Sequence, residues 1–236
     1  MAKKLLFFWI VIPVIMFGAA SVYACRGEIS DKILQKPDCE IAAADIKIKE
    51  AAAAVFSEGE SIKKKAEQKA AQDAAARQEE YQNGLSEYIR YVNHSVSEKE
   101  ADSMVDSFIE YARHYNVDEK IVMAVAQTES AYCADAVSCA DFKGLMQTGD
   151  YLAESAGHTP SELFDPEVSI KVGASYIRDK IEEFGDIRLA LADYNQGSGS
   201  VHSGNYTTGY ADLTMERAEA MEEFLRGRGY PEKTAS

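Results

Sequence analysis

From residue 97 onward the apolar positions recur at three- and four-residue spacing. Met104, Val105, Phe108, Ile109 and Ala112 form one stripe, and Ile121, Val122, Val125 and Ala126 form a second. Ile170, Val172, Ala174, Ile177, Ile181 and Phe184 form a third. This period places each set on one face of an α-helix. Start signals stand at the right places. Ser97 precedes Glu100 by three residues, the spacing of a capping box. Asp118 can cap the helix of the second stripe, Asp165-Pro166 starts the third, and Asp186 starts IRLALADYN. Gly185 stops the third helix, and the glycine-rich QGSGS ends the fourth. A last helix is expected around Thr214 to Leu225. Strand patterns are scarce, apart from a small hairpin expected near Gly144.

Residues 40–92 read differently. They are rich in Ala, Glu, Lys and Gln, all strong helix formers. Ile41, Ile48, Val55 and Ile62 recur every seven residues, but the partner positions Ala44, Ala51, Glu58 and Lys65 turn polar, so the seam fades. The pattern predicts one long helix, or two broken near Gly59, with Asn83-Gly84 as a turn before Leu85, Tyr88, Ile89 and Val92. The chain therefore divides into residues 1–24, a helical spacer over 25–96, and a compact helical domain over 97–236.

Residues 1–24 read as an export signal or a membrane anchor. Two lysines precede the uncharged stretch Leu5–Ala24, and the small residues at its end suit cleavage before Cys25. The protein is thus expected outside the cytoplasm, in the periplasm or cell envelope, with residues 5–24 as the anchor if uncleaved. Four cysteines in two local pairs, Cys25 with Cys39 and Cys133 with Cys139, suit an oxidising compartment, although four cysteines allow three pairings. There is no CxxC, and His94, His114, His158 and His202 lack ligand spacing, so neither metal nor other cofactor is expected. A net charge of −14 argues against nucleic acid as a partner.

One carboxylate is oddly placed. Glu129 follows the apolar run IVMAVA near the end of its helix. Around it stand ESAYC at 129, SCADFKGLMQ at 138 and ALADYNQGSG at 190. Together these blocks resemble the lytic transglycosylase family, the lysozyme-like domain of the soluble lytic transglycosylase (SLT) type. In that family Glu-Ser is followed by Ser nine residues after the Glu, then Gly-Leu-Met-Gln, then Ala-Tyr-Asn-x-Gly. Here these are Glu129-Ser130, Ser138, Gly144-Leu145-Met146-Gln147, and Ala192 to Gly197, with Asp193 where the family often has Ala. The resemblance implies an all-α fold of the lysozyme-like superfamily, itself classed as α+β.

The resemblance also implies a chemistry: cleavage of the MurNAc-β-1,4-GlcNAc bond of peptidoglycan glycan strands by a single acid/base. Glu129 would protonate the leaving oxygen, and apolar surroundings would raise its pKa for that purpose. The sugar's own 6-hydroxyl would then attack, giving a 1,6-anhydro end. Tyr194 would hydrogen-bond near Glu129 and the sugar. Ser138 and Gln147 would orient the N-acetyl group and glycan, and Met146 and Asn195 would line or brace the cleft. A Cys133–Cys139 disulfide would stiffen the intervening loop. Residues 40–92 would offer a docking segment for an envelope-spanning machine. Two alternatives stand beside this: a goose-type lysozyme with Asp135 or Asp141 positioning water, and a non-catalytic glycan-binding or structural envelope component.

Overall fold

The computed structural model describes residues 38–233, and side chains from residue 43 onward. The signal or anchor expected over 1–24, and the Cys25–Cys39 pair, lie outside what is described. The chain divides into two compact units between Ala70 and Ala71. No helix among the described residues is long and apolar enough to cross a membrane.

The first helix, α1 (Asp38–Val92), runs through Gly59 without a break. In the first unit its side chains from residue 43 are exposed; Ile48, Val55 and Ile62, the heptad positions, are all open to solvent.

In the second unit α1 behaves differently. Tyr81, Leu85, Tyr88 and Ile89 are buried and belong to the main core. The second compact unit takes in α1 from Ala71 onward. The expected turn at Asn83-Gly84 is absent, because both residues are helical. A Cβ on Gly84 would come within 2.6 Å of Leu225 Cδ2 and 2.7 Å of the Tyr230 ring. Glycine at 84 is there for close approach of packed side chains, which outweighs its poor helix propensity.

The caps read from sequence form as expected. In α2 (Glu98–Tyr115) the Ser97 N–H donates to Glu100 Oε2 at 2.9 Å, and the Glu100 N–H returns to Ser97 Oγ at 3.3 Å. Asp118 accepts from the Lys120 N–H and opens α3 (Glu119–Ser130). The short α4 (Asp150–Ser155) and a 3₁₀ turn (Pro160–Phe164) follow. Asp165 and Pro166 open α5 (Pro166–Phe184), which Gly185 ends in a left-handed conformation. Asp186 accepts from the N–H groups of Arg188 and Leu189 at the start of α6 (Ile187–Gln196). A brief α7 (Ser198–His202) precedes α8 (Gly209–Gly227), which starts five residues before the expected Thr214.

These helices pack as pairs: α2 on α5, α3 on α8, α5 on α6, and α6 on α8. The architecture is all-α. The expected hairpin near Gly144 reduces to two isolated bridges, Val137 with Lys143 and Lys143 with Thr148. The central helix α3 buries Val122 to Ala126 completely. Its first turn carries a buried carboxylate, Glu119, which accepts the Tyr81 hydroxyl at 2.9 Å and lies 2.5 Å from Lys233 Nζ. That pairing offsets the cost of burying the charge and ties α1 and the C-terminal segment to α3.

Candidate active site

Glu129 sits in the last turn of α3. The helix stops there abruptly: Ala131 and Tyr132 both take positive φ, 50° and 63°. Neither residue favours that region, so the surrounding packing must enforce it. Tyr132 supplies the packing. It is fully buried, edge-on to Phe108, with ring centroids 6.3 Å apart.

Ser130 explains why a serine follows the acid. Its Oγ donates to the Leu145 carbonyl at 2.8 Å and accepts the Cys133 N–H at 3.1 Å. One hydroxyl thereby joins the end of α3 to the Gly-Leu-Met-Gln turn. Gly144 in that turn has φ of 74°, and a Cβ there would lie 1.8 Å from the Leu163 carbonyl oxygen. The next residue but one, Met146, is fully buried. Its N–H donates to Ser169 Oγ at 3.0 Å, and its side chain fills the space over Gly173.

The partner of Glu129 is Tyr210, from the first turn of α8. Its hydroxyl donates to Glu129 Oε1 at 2.5 Å. The rings of Tyr194 and Tyr210 lie parallel, 9° apart, with centroids separated by 6.4 Å. Tyr194 does not use its hydroxyl on Glu129. It donates to the Met146 carbonyl at 2.7 Å. Tyr194 therefore braces the turn and backs Tyr210.

Electrostatics follow from this packing. Burial raises the Glu129 pKa above the ordinary carboxylate value, and the Tyr210 hydrogen bond lowers it in part. Both tyrosine hydroxyls are held neutral: burial and the nearby Glu129 raise the pKa of Tyr210 and of Tyr194.

The Tyr210→Phe variant tests this balance. It removes the bond that favours ionised Glu129, so the acid's pKa should rise and the alkaline limb of the pH–rate profile should move to higher pH. An unmoved limb, measured on glycan cleavage, would show that the bond does not tune Glu129.

The remaining candidates are placed as follows. Ser138 Oγ accepts the Phe142 N–H at 3.1 Å, and the Ser138 N–H donates to the Phe142 carbonyl at 3.0 Å. Its visible work is on the turn. Gln147, at φ of 47°, donates its amide to the carbonyls of Ala136 and Gly144 at 3.0 and 2.9 Å. Gln147 and the exposed Asn195 line one groove together with Phe142, Thr148, Asp193 and Tyr194. Met146 lines nothing open; it braces from within. Asp193 is fully buried: its Oδ1 accepts the Tyr176 hydroxyl at 3.0 Å and lies 3.6 Å from Lys180 Nζ, which joins α5 to α6.

The expected Cys133–Cys139 disulfide is not formed; both are free and exposed. The loop between them is held instead by the Ser138–Phe142 pair and by the Gly144 N–H on the Ala136 carbonyl.

Residues 106–212 match the family model described as the transglycosylase SLT domain. That match contains Glu129, Tyr194 and Tyr210. Over those residues the chain is similar to transglycosylase SLT domains. A transglycosylase of Enterobacteria phage PRD1 is 33% identical over 102 residues, covering 43% of this chain and 38% of the relative. Membrane-bound lytic murein transglycosylase C of Salmonella paratyphi B is 35% identical over 121 residues, covering 44% of this chain and 34% of the relative. The chain thus spans little more than a third of either relative's length. The 70 kDa soluble lytic transglycosylase of Escherichia coli matches with TM-score 0.46 at 22% identity, over 64% of this chain and 31% of that one.

Tyr210 is the neighbour of Glu129 that the sequence alone did not single out. A signal was present: Tyr210, Thr214, Ala218 and Met221 recur at helical spacing, so Tyr210 lies on the buried face of α8.

Proposed function

We propose that this protein is an envelope lytic transglycosylase that cleaves the MurNAc-β-1,4-GlcNAc bond of peptidoglycan and leaves a 1,6-anhydro-muramoyl end. The observation that carries this reading is Glu129: a carboxyl raised in pKa by burial, hydrogen-bonded to the neutral Tyr210 hydroxyl. Most glycosidases pair two carboxylates, one on each side of the scissile bond. A lone acid suits a mechanism in which the substrate supplies its own nucleophile.

The steps balance with one residue. Protonated Glu129 gives its proton to the glycosidic oxygen as the C1–O4 bond breaks. The substrate's N-acetyl group stabilises the electron-poor C1. Glu129, now a carboxylate, takes the proton of the 6-hydroxyl as O6 closes on C1. The enzyme returns to its protonated state without consuming water. Such acid–base help contributes ~10²–10⁴-fold, and positioning of the sugar must supply the rest.

The hydrolytic alternative has weaker support. Asp135 and Asp141, its candidates for holding water, are both exposed, and Asp141 is engaged by Lys143 at 3.0 Å. The exposed stretch of α1 with Ile48, Val55 and Ile62 favours a docking role for that segment toward envelope machinery. Mass spectrometry of digested cell-wall glycan decides the main point. Muramoyl ends lighter by one water are expected; reducing ends would make the protein a hydrolase, and no cleavage would make it a binding component.

A further inference from the structure

The loop that faces the groove carries a residue whose placement its own fold does not explain. Phe142 is 45% exposed, yet it is among the most firmly held residues of that loop. Its carbonyl accepts the Ser138 N–H, and its N–H donates to Ser138 Oγ. Its ring lies against Gly149, where a Cβ would come within 3.2 Å of Cε1. The same ring lines the groove with Gln147, Tyr194 and Asn195. A single exposed apolar side chain is ordinary. One fixed at both backbone groups, seated on a glycine and turned into a groove with amide side chains is an arrangement suited to a ligand with both an apolar face and polar edges.

We propose that Phe142 is a sugar-stacking platform: its ring receives the apolar C–H face of an N-acetylhexosamine ring, while Gln147 and Asn195 meet the sugar's polar edge. This rests on the reading of the protein as a glycan-cleaving enzyme and adds a specificity-determining contact to it. Pyranose rings present axial C–H bonds on one face, and the negative face of an aromatic ring attracts them. The role of Ser138 follows. It acts on the glycan through Phe142, as a positioning residue that fixes the platform.

The test uses the full chain carrying Glu129→Gln, so that substrate binds without turnover. Calorimetry with a tetrasaccharide of alternating N-acetylglucosamine and N-acetylmuramic acid is the readout. Phe142→Ala should weaken binding about tenfold, the size expected for losing one buried aromatic contact. Phe142→Tyr should bind within about twofold of the parent. Tyr151→Ala, which removes a neighbouring aromatic that is 80% exposed and does not line the groove, should change nothing. In the active enzyme Phe142→Ala should raise KM about tenfold with kcat nearly unchanged, the signature of a contact made equally in ground and transition states.

Phe142→Trp adds a direct probe, because the chain's single tryptophan is Trp9. Its emission should shift on glycan addition. The platform is overturned if the parent binds the tetrasaccharide and Phe142→Ala binds it equally well, or if Tyr151→Ala loses as much. If the parent itself does not bind the tetrasaccharide, the glycan reading of the whole site falls and the platform falls with it.

Discussion

Glu129→Gln should reduce cleavage of cell-wall glycan by at least ~10²–10⁴-fold while leaving the fold intact. Glutamine has the shape of the acid and keeps an oxygen to accept the Tyr210 hydroxyl, but it has no proton to give. The usual objection, that a dead variant is an unfolded one, can be met in the same experiment. Glu129 has a raised pKa, so its charged form is disfavoured in the folded protein. Stability from that group is therefore present at low pH and lost as pH rises through its unfolded and then its folded pKa. Removing the charge should leave thermal stability at neutral pH equal or higher. A dead enzyme with an undiminished Tm assigns the proton to Glu129. Retained lysis would remove the acid from the mechanism and leave a glycan-binding component as the better reading.

Gly144→Ala should destabilise the protein by roughly 2–5 kcal/mol. Two costs combine: holding an L-residue in the left-handed region costs ~1–2 kcal/mol, and forcing a methyl into packed surroundings adds ~1–3 kcal/mol. Here the obstruction is backbone, since the added Cβ would lie 1.8 Å from the Leu163 carbonyl oxygen and 2.8 Å from its carbon. Leu163 is fully buried, so the 3₁₀ turn cannot simply swing away. For a unit of this size such a loss corresponds to a fall in Tm of about 10 °C. Activity should fall with it, because the carbonyls of Leu145 and Met146, which anchor Ser130 and Tyr194, belong to the same turn. Gly157→Ala is the control. Its φ is 81°, but a Cβ there meets nothing within 4 Å. It should cost only the ~1–2 kcal/mol of the backbone preference. Equal losses in the two variants would show that the close approach at Leu163 carries no special weight.

The dependence of the site on contacts distant in sequence separates what was legible from what was not. Glu129 was legible because its oddity is local: an acid placed just after a run of residues that must be buried. The capping box at Ser97 and the aspartate caps at 118, 165 and 186 were legible for the same reason. A cap satisfies backbone groups two or three residues away, so residue type and spacing suffice.

Gly84 shows the opposite case. By local preference Asn-Gly is a turn, and nothing nearby announces that Leu225 and Tyr230 press against it. Tertiary packing overrode the local signal. The site divides in the same way. Sequence by itself determined the acid, the Gly-Leu-Met-Gln turn and the helices that present them. Only the tertiary structure decided which tyrosine meets the acid. Tyr210 and Glu129 are far apart in the chain, and their bond exists because α3 packs on α8. Tyr194, the nearer match to the motif, was turned by the same packing toward the Met146 carbonyl. A hydrogen-bond partner is chosen by where two helices cross, and the chemical type of a residue says only that it can donate.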